Sequence, residues 1–256
     1  MVSFKKRCDN SLFIHTSSDF QLYVLVYVDD IIVTGSSPSI VSKVIKDLST
    51  TFALKQLGKL DYFLGIEVKH LSDGTLLMSQ TKYIRDLVAR ANMDTTKSMP
   101  LPMARNRKLS QEGNDIFEDT TFYRSIVGAL QYATITRPDI AFSVNKVCQF
   151  LGKPLQSHWT AVKRILKYLQ GTISFGLTIR KAHNHTPLAL STFCDADWAS
   201  DIDDRKSTSG AYILTKPLSN SQFMSLRNQL QVKDYFNMLK EPSSSEGNIR
   251  EPFSSD

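Results

Sequence analysis

Apolar and β-branched residues gather in two runs near the start of the chain, Leu12-Phe13-Ile14 and Gln21 to Val33, and both read as strands. Asp29-Asp30 interrupts the second run, and a turn there is the simplest account, because Asp is favoured at turns. Ser37-Pro38 has the form of a helix start, with Ser at the cap and Pro at the first helical position. Ile40, Val44, Ile45, Leu48 and Phe52 follow at three- to four-residue spacing, which puts one apolar stripe on that helix. Tyr62 to Val68 and Thr75 to Met78 read as two further strands, joined by the turn residues Ser72-Asp73-Gly74. Ser79 is placed to cap a second helix carrying Tyr83, Ile84, Leu87, Val88 and Ala91. The order strand–strand–helix–strand–strand–helix predicts an α+β fold. Residues 12–92 are expected in one antiparallel sheet with both helices on one face and Asp29-Asp30 at a hairpin tip.

From Met93 to Thr121 the pattern weakens, and Pro100, Pro102 and Gly113 suggest a linker over residues 96–122. A helical pattern returns at Tyr123 to Phe150, where Pro138 should divide it into two helices. Another helix is expected over His158 to Gln170, with Trp159, Val162, Ile165, Leu166 and Leu169 on one face and Lys163, Arg164 and Lys167 on or beside the other. Ala189 to Cys194 and Ala211 to Leu214 read as short strands bracketing a polar loop. Phe223 to Lys240 suggests a loose helix, and the Ser-, Pro- and Glu-rich stretch 241–256 has the composition of a disordered tail.

Composition narrows the class. The 256 residues suffice for one large domain or two modest ones, and 41% hydrophobic with 22% charged content excludes a disordered or fibrous chain. A net charge of +6 favours an anionic partner. Cys8, Cys148 and Cys194 are widely spaced and odd in number, which predicts reduced thiols in an intracellular, cytoplasmic or nuclear protein with no disulfide-linked partner. No apolar run approaches the ~18 residues of a membrane span, so no membrane partner is expected. The basic start Met1 to Arg7 lacks the apolar stretch of a signal peptide.

The most informative tetrapeptide is Tyr27-Val28-Asp29-Asp30. Two adjacent carboxylates between apolar runs must face water or meet cations, since burying either unpaired is unfavourable. Magnesium suits such oxygen ligands, and two such ions can clamp the attacking and departing oxygens of phosphoryl transfer. A solvated β-turn is the alternative on the dipeptide alone.

The neighbouring residues give the dipeptide a family. Leu25 to Gly35, reading LVYVDDIIVTG, closely resembles the catalytic hairpin of copia-type reverse transcriptases. Similar blocks follow in the family's order: Leu57 to Val68, Ser79 to Tyr83, Tyr123 to Tyr132, Thr136 to Ile140, Lys163 to Thr172, Asp195 to Ala199 and Asp204 to Gly210. The likeness runs from about residue 4 to residue 214. It implies a partial reverse-transcriptase palm over 1–95, a helical thumb or connection region over 123–182, the start of a ribonuclease H domain over 187–215, and a divergent tail over 216–256. By position, Asp29 and Asp30 resemble the paired catalytic, metal-binding carboxylates of the palm, with Mg2+ as the implied cofactor. Tyr27 resembles the residue beside the primer end, and Leu64-Gly65, within Phe63 to Val68, resembles the primer grip, a hairpin whose backbone holds the primer terminus.

Each of these readings has a plainer alternative. Gly65 permits close approach of a nucleic-acid backbone, or it marks a strand bulge. Lys163, Arg164 and Lys167 suit phosphate contacts on an RNA/DNA template-primer duplex, or they form a solvated helix face. Trp159 fits the core and His158 a structural role. Asp195 resembles the first metal-binding carboxylate of a ribonuclease H site, or it is a strand-end acid; Ser245-Glu246 is no substitute for that site's missing glutamate. The family's third polymerase carboxylate and its fingers precede the sequence matched by Met1, so the chain is expected to be catalytically incomplete alone. The competing reading is a non-enzymatic nucleic-acid-binding remnant of a retroelement.

Overall fold

The computed structural model describes residues 5–6, 11–52, 54–104, 109–180, 195–197, 208–210 and 220–238. The chain divides into two compact units, residues 1–60 and 61–256. In the first, β1 (Lys5–Lys6), β2 (Leu12–Thr16), β3 (Gln21–Tyr27) and β4 (Asp30–Gly35) form an antiparallel sheet in chain order. Alternation along β3 buries Leu22 and Val24, the period-2 signature of a sheet with one covered face. Helix α1 (Pro38–Phe52) starts at the expected proline. Its stripe of Ile40, Val44, Ile45 and Leu48 is half-buried, whereas Phe52 is exposed. Gly35 is required by closeness: a Cβ there would lie 2.4 Å from the Gln21 carbonyl oxygen and 3.4 Å from Val41 of α1.

The second unit carries a separate antiparallel sheet. Its strands are β5 (Tyr62–Phe63), β6 (Ile66–His70), β7 (Leu76–Ser79), β8 (Phe175–Ile179) and, at the far edge, β11 (Val232–Asp234), in the order β11-β8-β7-β6-β5. The single sheet expected over residues 12–92 is therefore corrected to two. Strand pairing is non-local: the position beside β7 is filled from far downstream by β8, which periodicity within residues 12–92 cannot reveal. Tyr62 to Val68, one strand by its residue pattern and a hairpin by the resemblance, is a hairpin, β5 turning into β6.

Helices α2 (Thr81–Arg90), α3 (Thr120–Ala133), α4 (Ala141–Cys148) and α5 (Gln156–Gly171) pack around one apolar core. Ile84, Leu87, Ile126, Leu130, Val144 and Leu166 are all at most 2% exposed within it. Pro138 opens a 3-10 turn, Pro138–Ile140, that separates α3 from α4 as the sequence predicts. The cap of α2 differs from expectation. Ser79 ends β7, and its hydroxyl donates to Glu67 Oε2 at 3.3 Å. Glu67 Oε1 accepts from the Lys82 N–H at 2.9 Å, so a carboxylate from the neighbouring strand satisfies the helix's first turn.

Residues expected to form a linker lie against α5. The Met99 N–H donates to the Lys167 carbonyl at 3.3 Å, and Arg164 Nε donates to the Leu101 carbonyl at 3.2 Å. Downstream, β9 (Asp195–Asp197) pairs antiparallel with β10 (Thr208–Gly210). The strands expected at Ala189 to Cys194 and Ala211 to Leu214, and the tail 241–256, lie outside the described residues. The loose helix expected over Phe223 to Lys240 is instead α6 (Asn220–Gln229), β11 and the short α7 (Tyr235–Met238).

A buried charge network ties the 3-10 turn to α5. Arg137 and Asp139 form an ion pair of 2.7 Å with both side chains at 0% exposure. Arg137 also donates to the Thr172 carbonyl and hydroxyl at 2.8 Å each, and the Tyr168 hydroxyl donates to Asp139 Oδ2 at 2.6 Å. The glycine in α3 has no such constraint. Gly128 is exposed, and a Cβ there would meet nothing within 4 Å. Gly128→Ala should therefore stabilise the protein by roughly 0.5–1 kcal/mol, read as a higher urea midpoint at unchanged slope.

Candidate functional site

The Asp29-Asp30 pair sits where a hairpin tip was expected. Tyr27 pairs with Asp30, leaving Val28 and Asp29 as the two-residue turn between β3 and β4. Tyr27, Val28, Asp29 and Asp30 are all exposed. Neither carboxylate has a hydrogen-bond or ion-pair partner among the described residues, so their oxygens face solvent and are open to a hard cation. The donor chemistry fits a divalent metal. Among the described residues, however, no group of three or more His, Cys, Asp or Glu gathers to hold one. The turn is also strained: Val28 has φ +50°, a left-handed conformation that is a true outlier for a β-branched side chain. Such backbone stores about 1–3 kcal/mol and gathers at functional sites.

The second candidate, Leu64-Gly65, is also a hairpin tip, between β5 and β6. Phe63 pairs with Ile66, and Leu64 and Gly65 have φ of +49° and +80°. Positive φ at both central residues defines a type I′ turn, the tight connection that matches strand twist. Gly65 is thus a turn glycine rather than the bulge glycine considered from sequence. The tip is braced from α3, because the Tyr132 hydroxyl donates to the Leu64 carbonyl oxygen. Tyr132 packs edge-on against Tyr83 at 5.1 Å, and the Tyr83 hydroxyl donates to the Ala129 carbonyl at 3.1 Å. Burial pushes the Tyr83 phenol above its ordinary pKa, which keeps it a hydrogen-bond donor. Sequence reading gave neither tyrosine a role; the only signal was their presence in the blocks that resemble the family.

Lys163, Arg164 and Lys167 are brought together on α5, but half-buried rather than as an open face. They line a cavity of about 420 Å³ whose other wall includes Met93, Met99 and Met103. Arg164 is committed to the Leu101 carbonyl. His158 is structural. Its Nε2 donates to the Ser110 carbonyl at 2.9 Å, Nδ1 accepts from the Leu155 N–H at 3.0 Å, and the ring stacks on Phe150 at 3.7 Å. Trp159 is 9% exposed and lies 5.1 Å from Phe117, a core position as expected. Asp195 opens β9, opposite Gly210. Cys148 is a free thiol that burial pushes above its ordinary pKa, and no helix among the described residues is long and apolar enough to cross a membrane.

The first unit thus presents an exposed acidic hairpin tip on an antiparallel sheet, and comparisons with known proteins place the chain in a family. The family described as reverse transcriptase (RNA-dependent DNA polymerase) matches residues 2–105. A retrovirus-related Pol polyprotein from transposon RE1 of Arabidopsis thaliana is 45% identical over 82% of this chain and 14% of that protein. The corresponding polyprotein from transposon TNT 1-94 of Nicotiana tabacum is 37% identical over 84% of this chain and 16% of that protein. An uncharacterised mitochondrial protein of Arabidopsis thaliana is 44% identical over 74% of this chain and 77% of its own length. No solved structure matches. The chain belongs to the reverse transcriptase family of copia-type retrotransposon polyproteins, and it spans a small part of the length of the Pol polyproteins it matches.

Proposed function

We propose that the chain is the palm-to-thumb stretch of a retrotransposon RNA-directed DNA polymerase, acting inside the cell on an RNA/DNA template-primer duplex. The observation that carries this reading is the β3–β4 tip, which sets Asp29 and Asp30 side by side, solvent-facing and beside the strained Val28. Mg2+ held by these carboxylates would stabilise the attacking and departing oxygens of phosphoryl transfer. Tyr27, at the end of β3, lies beside the primer terminus. Leu64-Gly65 holds the primer backbone, and Tyr132 and Tyr83 keep that turn in shape. Lys163 and Lys167 meet phosphate, while Arg164 fastens the segment over α5. Residues 1–95 then act as palm, 123–182 as thumb or connection, and 187–215 as the opening of a ribonuclease H domain with Asp195 as its first metal carboxylate.

In this reading the chain is catalytically incomplete by itself. Two adjacent like charges hold metal ions well only when further ligands and the substrate phosphates complete the cage. The test combines primer extension with duplex binding on the purified chain. No extension is expected, together with Mg2+-strengthened binding of an annealed RNA–DNA primer-template that Asp29→Asn with Asp30→Asn abolishes. Binding indifferent to Mg2+ and to the double substitution would overturn the polymerase role and leave a non-enzymatic nucleic-acid-binding remnant. Mg2+-dependent synthesis lost in Asp29→Asn would overturn the incompleteness.

A further inference from the structure

The cavity against α5 combines two chemistries on facing walls. One wall carries Met93, Met99, Pro102, Met103 and Leu109, and α5 contributes Lys163, Arg164 and Lys167. Among the described residues its lining contains no carboxylate, so the charge they bring is positive. Lys163 and Lys167 make no side-chain hydrogen bond or ion pair among the described residues, which leaves two ammonium groups for an anion. Arg164 does different work: with the Met99–Lys167 backbone bond, its bond to the Leu101 carbonyl fastens the wall onto α5. The volume of about 420 Å³ lies within the ~300–1,000 Å³ of small-molecule sites. Methionine walls are adaptable and make favourable sulfur contacts with aromatic rings. Thr96, Ser157 and Thr160 add hydroxyls on the same lining.

A ligand matched to this site has a flat apolar body with an anionic group at one edge. We propose that the cavity receives one unstacked nucleotide, its base among Met93, Met99 and Met103 and its phosphate on Lys163 and Lys167. The choice of a nucleotide over other aromatic anions rests on the polymerase reading. The same chemistry is offered by a free nucleoside monophosphate and by a nucleotide turned out of a single strand.

Methyl NMR of the full chain labelled at its methionines tests this without any substitution. The probes are dAMP, a short single-stranded oligodeoxyadenylate, and the same oligonucleotide with abasic residues. The expected result is movement of the Met93, Met99 and Met103 methyls with the intact strand, with Met78 and Met238 still and the abasic strand inert. Equal movement at matched nucleotide concentration of dAMP would support the cavity and assign it to free nucleotide. Replacing Lys163→Gln and Lys167→Gln should flatten the dependence of log affinity on log salt by about 0.7 for each phosphate that is no longer neutralised. Met99→Trp, which fills the space, should weaken binding, and Met99→Leu should restore it. The proposal is overturned if anisotropy reports strand binding while these three methyls stay put, or if the abasic strand moves them equally. Neither result bears on the Asp29-Asp30 hairpin, whose Mg2+-dependent duplex binding is read separately.

Discussion

Asp139→Ala should destabilise the helical unit by about 3–5 kcal/mol, the loss expected when one partner of a buried ion pair is removed. Asp139 is 1% exposed and accepts from Arg137 Nε at 3.0 Å, from Arg137 Nη2 at 2.7 Å and from the Tyr168 hydroxyl at 2.6 Å. Without it, a guanidinium at 0% exposure keeps the Thr172 oxygens and the faces of the Tyr168 and Phe175 rings, but no carboxylate among the described residues. Burial alone would lower the Arg137 pKa, but the Asp139 carboxylate and Tyr168 together outweigh burial and hold it above its ordinary value, so the group stays charged in the intact protein. Tyr168→Phe removes one donor to the carboxylate and should cost about 1.5–3 kcal/mol. Arg137→Met with Asp139→Leu removes both charges and should recover much of the loss. Urea unfolding of the four proteins decides the matter. A double substitution as unstable as Asp139→Ala would show that shape, rather than an uncompensated charge, sets the penalty.

Gly176→Ala should cost about 1–3 kcal/mol, at the upper end of that range for overpacking, although it adds a single methyl. A Cβ at Gly176 would stand 2.4 Å from the Met78 carbonyl oxygen and 3.1 Å from the Met78 carbonyl carbon, backbone atoms of the neighbouring strand β7. A flexible side chain could swing aside, but a laddered strand must be displaced. Gly128→Ala is the internal control, since the same methyl on the exposed face of α3 is expected to act with the opposite sign. Thermal unfolding of the pair checks both. Equal and small shifts would show that β8 and β7 approach less closely than this geometry requires.

Local signals were legible in the sequence, and tertiary ones were not. The β3–β4 hairpin, the start of α1 at Pro38 and the break at Pro138 follow from turn chemistry and proline geometry within a few residues. The strand β8 lies within the stretch 123–182 that the resemblance makes helical, and its Gly176 serves close approach to β7, a partner that no local pattern names. Arg137-Pro138-Asp139 read as a helix break, which it is. That its two charges are buried depends on Tyr168 and Thr172 arriving from α5 and the residue after it. At the candidate site, the acidic pair was readable as a turn, and the resemblance gave it a role. The brace from Tyr132 to Leu64 spans distant sequence and has no local signature. The basic residues of α5 were legible as charges. Their half-burial was not, because the Pro-containing stretch that covers them looks like an ordinary linker.

The pairing of β8 with β11 has a consequence for the order in which the sheet is assembled. Ribosomes add about 5–20 residues per second. The roughly fifty residues between Ile179 and Val232 therefore take several seconds to appear. Through that interval the Phe175 to Leu177 edge that later pairs with Asp234 to Val232 has no strand beside it. An unpaired strand edge is a template for pairing with other chains. Release of the chain before residue 232 should therefore leave a product that self-associates through β8, even though helices α2 to α5 of the apolar core have already been made.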